Sequence, residues 1–146
     1  MAVYLGCDLE PPEASWDESR PAFNTQRVSA NDGAVRRLFR KPAVIFLGAH
    51  TGCSCGFTYG MDDGEDPAER ADAARSVGAL RLYLSVLLEH VAEIELFACW
   101  EGDQNLSPLS RMEVTLDHFG GPSFAFVERQ FLVCRRNGSP SGRVAG

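Results

Sequence analysis

The sequence predicts a single α/β domain: a mixed β-sheet with one parallel β-α-β crossover and one long and one short helix packed on it, with an α+β arrangement as the alternative. Three observations predict it. Residues 43–49 form a solid apolar run that ends in a glycine-containing loop, as expected of a strand covered on both faces. Val77, Leu80, Leu84, Leu87 and Val91 repeat at spacings of three and four, the pattern of a helix with one buried face. Residues 93–100 then alternate, and a strand, a long helix and a second strand most naturally join two parallel strands by a right-handed crossover.

The totals bound what surrounds that core. With 146 residues, 45% of them hydrophobic and 23% charged, the chain suits one globular domain, 1–135, followed by a polar, breaker-rich tail, 136–146, that reads as disordered. A net charge of −6 opposes binding to nucleic acid or to anionic lipid. The N-terminal MAVYLGCDLEPP has no basic leader and only a short apolar run, so neither a signal peptide nor a membrane anchor is expected and the location predicted is cytoplasmic. In a reducing compartment five cysteines stay thiols unless a metal or a catalytic cycle uses them.

Taken in order, Ala2–Cys7 reads as a first strand. Residues 8–20, with adjacent prolines, many carboxylates and Trp16, read as a surface loop pinned by the indole, which is also a candidate ligand or partner platform. Phe23–Val28 reads as a short edge strand after Pro21. A short helix is expected over about 32–39, capped by Ser29, Asn31 or Asp32, with Val35, Leu38 and Phe39 on one face and Arg36, Arg37, Arg40 and Lys41 at its C-terminal end. The acidic stretch 61–66 lacks the ligand spacing of a calcium loop and instead precedes a helix start, with Asp66 as N-cap, Pro67 first and Glu69 third. That helix is expected over 67–90, with Gly78 allowing it to lie close on the sheet. A shorter strand runs to about Leu116. Phe124 and Phe126 lie in one strand phase and Phe131 and Val133 in the other, so a bulge or turn is required near 128–130.

Chemistry concentrates in one place, the stretch AVIFLGAHTGCSCGF over residues 43–57. Cys53 and Cys55, flanked by glycines and preceded by His50, support three activities. They can chelate zinc or another thiophilic metal, with His50 as third ligand and with Cys7 or Cys99 reaching the same rim if their strands run parallel to the central one. They can close a small disulfide suited to exchange. One cysteine can act as a nucleophile with His50 as base. Against these stands a tight, packed turn with purely structural cysteines. Cys134 reads as core, and His90 and His118 as surface or capping residues.

Residues 48–57 (GAHTGCSCGF), with 97–103 (FACWEGD) and 128–132 (ERQFL), are similar to a group of small bacterial proteins of uncharacterised function that share an H-x-G-C-x-C-G-F stretch. The resemblance implies a shared compact domain and no activity. The function expected from the residues is metal binding or thiol exchange through the Cys53-x-Cys55 loop. The alternative is a non-catalytic interaction or regulatory module whose Trp16 loop docks a protein partner.

Overall fold

Ala2–Cys7 (β1) is apolar throughout, and all six of its residues are buried. A strand with no polar face gains most in the interior of a sheet, and β1 occupies that position. It lies between Ala43–Gly48 (β3) and Glu93–Cys99 (β4), antiparallel to both. With Asn24–Arg27 (β2), Ser110–Thr115 (β5) and Gln130–Arg135 (β6), they form one six-stranded sheet in the order β2-β3-β1-β4-β6-β5. The computed structural model describes residues 1–19, 21–57, 66–120 and 124–136. The expected tail from 137 onward and the acidic run 61–65 lie outside them.

The sheet is mixed, as expected. β3 and β4 run in the same direction because each opposes β1, and the long helix Pro67–Leu87 (α1) connects them. They are not neighbours, however, since β1 is inserted between them. The hydrogen-bonded parallel pair is β5 with β6. β2 is an edge strand, as expected of the segment that follows Pro21.

α1 starts where the capping pattern places it, the Asp66 carboxylate accepting from the Ala68 N–H at 3.0 Å. It ends at Leu87, three residues earlier than expected, and 88–90 form a turn. Val77, Leu80, Leu84 and Leu87 are buried against Val3, Leu5, Leu47, Leu96 and Phe57 on one face of the sheet. Gly78 faces solvent, and a Cβ there would meet nothing within 4 Å. It therefore has no part in close packing. No helix among the described residues is long and apolar enough to cross a membrane.

The other face is covered by Ala30–Leu38, which is a 3-10 helix rather than an α-helix, with Ser29 as its N-cap. It carries Val35 and Phe39 onto Tyr4, Phe97 and Phe131. Phe39 presses on the sheet so closely that a Cβ at Gly6 would fall 2.5 Å from its ring. The required break between the phenylalanine pairs is a turn at 128–129, with Arg129 at φ 55° and its N–H donating to the Ala98 carbonyl at 2.7 Å. The turn sends Phe124 and Phe126 to the α1 face and Phe131 to the 3-10 face.

Candidate functional site: the Cys53–Cys55 loop

β3 ends at Gly48 and the chain folds straight back. The Gly52 N–H donates to the Ala49 carbonyl and the Ala49 N–H to the Cys53 carbonyl, each at 2.9 Å. Gly52 takes φ +84°, a left-handed backbone in which a side chain would be strained. The edge strand ties the turn down: the Asn24 amide donates to the Ala49 carbonyl at 3.3 Å and the Gln26 amide to the Gly52 carbonyl at 3.4 Å. A Cβ on Gly48 would lie 2.5 Å from Asn24 Nδ2 and 2.6 Å from the Gly52 carbonyl oxygen. The loop is thus a fitted turn.

Cys53 and Cys55 are joined by a disulfide at a Cα separation of 5.5 Å, and both are exposed. Ser54 between them faces inward and is only 2% exposed. Its hydroxyl accepts from the Val3 N–H at 2.9 Å and donates to the Leu47 carbonyl. Thr51 Oγ1 lies 3.2 Å from Cys53 Sγ and 3.7 Å from Cys55 Sγ, and also reaches the Cys53 carbonyl at 3.2 Å. A hydroxyl therefore stands beside both sulfurs.

His50 meets the long helix. Its N–H donates to Ser76 Oγ at 2.9 Å, and its Nδ1 lies 3.0 Å from the same oxygen. A hydroxyl that accepts from the amide and gives its own proton to Nδ1 satisfies both contacts, which leaves the neutral ring protonated on Nε2. Gly56 makes room for the ring, because a Cβ there would be 2.9 Å from His50 Cε1. His50 thus braces the loop against α1.

The remaining sulfurs do not join this set. Cys7 pairs with Ala43, at the opposite end of β3 from the loop, about 17 Å away at a strand's rise per residue. Cys99 pairs with Ala2 and so reaches the right end of the sheet, but it packs with Tyr4 and Phe97 on the 3-10 face, whereas Ala49 and Phe57 pack on the α1 face. The expected gathering of Cys7 and Cys99 beside Cys53 and Cys55 is overturned by the antiparallel placement of β1 and by the alternation along β4. Burial first, then the nearby Glu101 and Asp103, pushes the Cys99 thiol up to about 12, and burial pushes Cys134 to about 12. Among the described residues no group of three His, Cys, Asp or Glu side chains is placed to hold a metal ion.

Sequence reasoning singled out His50, Cys53 and Cys55 and missed Thr51, Ser54 and Ser76. Thr51 and Ser54 stand inside the motif, and only their turn-forming character is visible there. Nothing linear signals that Ser76, buried on α1, meets His50. Trp16 is 46% exposed. Its loop is held at Ala14, whose N–H donates to Thr25 Oγ1 and whose carbonyl accepts from the Thr25 N–H, and at Pro12, whose carbonyl accepts from the Tyr83 hydroxyl. Neither a protein-family model, nor a curated protein, nor a solved structure matches this chain.

Proposed function

We propose that the Cys53–Cys55 loop is a thiol–disulfide exchange site, cycling between bridged and dithiol forms. What supports this reading is the segregation of sulfur: the bridge stands exposed at a loop tip, while Cys7, Cys99 and Cys134 are buried thiols. A ring closed over a single residue opens and closes without moving a strand. An incoming thiolate attacks Cys55 Sγ and forms a mixed disulfide, and the electron pair of the broken bond leaves on Cys53 Sγ. The Thr51 hydroxyl, 3.2 Å from that sulfur, donates to the new thiolate. A second thiolate attacks the outer sulfur of the mixed disulfide and releases Cys55. In sum, two thiols become one disulfide and the bridge becomes a dithiol, with the two protons passing to Cys53 and Cys55. A cytoplasmic location belongs to the same proposal, because bridges there are transient and catalytic or redox-sensing.

Zinc or another thiophilic metal on the reduced pair would find two thiolates and would need further ligands from a partner or from outside the described residues. Thiol counting in denaturant is expected to give three thiols before reductant and five after. Cys53→Ser and Cys55→Ser singly are expected to trap mixed disulfides with glutathione and to abolish turnover. Five thiols in protein equilibrated with oxidised glutathione would sink the proposal. Elemental analysis of the reduced protein tests the metal.

The exposed Trp16 favours the second reading, an interaction module with structural cysteines. In the double variant Cys53→Ser/Cys55→Ser, loss of redox response with the fold intact supports exchange, and loss of stability alone supports the module.

A further inference from the structure

The two edges of the sheet are finished differently. On the β2 side the chain covers its own edge: the Thr25 N–H donates to the Ala14 carbonyl at 2.8 Å and the Ala14 N–H to Thr25 Oγ1 at 2.9 Å. On the β5 side, β6 is the only strand paired with β5 among the described residues, and 110–113 are all exposed. An uncovered edge offers its backbone N–H and carbonyl groups to a further strand.

The side chains of β5 select that strand. Val114, 9% exposed, packs on the α1 face, so by the two-residue period Ser110 and Met112 share its face while Arg111 and Glu113 take the other. The Arg111 guanidinium lies 4.4 Å over the Phe131 ring and has no carboxylate partner among the described residues. Glu113 reaches Arg135 Nη2 only at 3.4 Å, and its side chain is 56% exposed. Charged residues ordinarily blunt an edge. Here they have opposite signs and stand two residues apart, so one arrangement satisfies both.

That arrangement is with a second copy of β5. A twofold axis between antiparallel edge strands stands perpendicular to the sheet and keeps each face on its own side, so it must pass where a residue opposes its own copy. Centred on Arg111 or on Glu113, it sets like charges directly opposite, which is destabilising. Centred on Met112, it sets Arg111 of each copy opposite Glu113 of the other, and the half-exposed Met112 side chains meet on the α1 face. We propose that the protein forms a twofold dimer through antiparallel β5–β5 pairing centred on Met112, joining two sheets into one. The contact is one short strand a side, so the dimer is weak and concentration-dependent. Because the β2 edge is covered, association stops at two. This surface is independent of the exchange reaction.

Sedimentation velocity of the full chain, from micromolar to near-millimolar concentration and in reductant to remove any disulfide-linked form, tests the proposal. A reversible monomer–dimer equilibrium is expected. Met112→Lys places two like charges on the axis and is expected to leave only monomer. Arg111→Glu and Glu113→Arg are each expected to weaken self-association at least about tenfold, since both symmetry-related pairs become repulsive. Mixed together, the two variants are expected to associate with each other, because two acidic side chains then face two arginines. Circular dichroism checks that each variant is folded. A protein monomeric throughout, a dimer that survives Met112→Lys, assembly beyond two copies, or folded charge variants that fail to associate on mixing would each overturn the assignment.

Discussion

The Ser54 hydroxyl accepts the Val3 N–H at 2.9 Å and donates to the Leu47 carbonyl, and Val3 and Leu47 are directly opposed in the β1–β3 ladder. The residue enclosed by the disulfide is therefore itself a member of the sheet. Ser54→Ala leaves a buried donor and a buried acceptor without that partner, which costs about 1–3 kcal/mol. Urea denaturation is expected to show a lower midpoint, and exchange at Cys53 and Cys55 is expected to change because their anchor is gone. An unchanged midpoint would mean that the two strands close on each other without the serine.

Two glycines should respond in opposite directions. Gly48→Ala places a methyl group within 2.6 Å of the Gly52 carbonyl oxygen, a backbone atom that cannot swing away, and overpacking of this kind costs roughly 1–3 kcal/mol. Gly78→Ala meets open space on an α-helix and is expected to stabilise by about 0.5–1 kcal/mol. Thermal melts of the two variants test both signs at once.

The thiols should label in two classes. In reduced, native protein at pH 8, iodoacetamide is expected to modify Cys53 and Cys55 and to spare the buried cysteines. With thiols pushed up to about 12 by burial, Cys99 and Cys134 are ionised to only on the order of one part in ten thousand, and thiolate is the reactive form. Mass spectrometry of peptides from alkylated protein gives the answer, and rapid native labelling of Cys99 or Cys134 would contradict their placement.

Stability should fall on the acid side of neutrality in a way that depends on His118. Desolvation by burial lowers its pKa below the ordinary 6.5. Its Nε2 is buried without a partner among the described residues, and the ring packs edge-on to Phe119 and Phe124. The unfolded chain then binds the proton more readily than the folded one, so stability is full above pH 6.5 and drops as pH falls below it, toward the lowered folded value. His118→Phe keeps an aromatic ring and removes the titration. Denaturation midpoints between pH 5 and 7 are expected to show a shallower slope for that variant than for the parent.

Local patterns in the sequence determined the elements. The three-and-four stripe of Val77, Leu80, Leu84 and Leu87, the Asp66-Pro67 start, the alternation along 93–99 and the phase conflict between Phe126 and Phe131 are all short-range facts, and short-range sterics and burial decide helix, strand and turn. The reactive loop was legible for the same reason, since His50, Cys53 and Cys55 lie within six residues of one another. Strand order was not legible. Inserting β1 between β3 and β4 depends on pairings tens of residues apart, and its antiparallel sense carries Cys7 to the far end while the two-residue period of β4 turns Cys99 to the other face. Alternation tells which side chains share a face of a strand, but not which face or end of the sheet they reach. Only the assembled sheet decided that two of the five sulfurs meet and the others are shut away, because that outcome is set by which nonlocal pairings bury the most apolar surface.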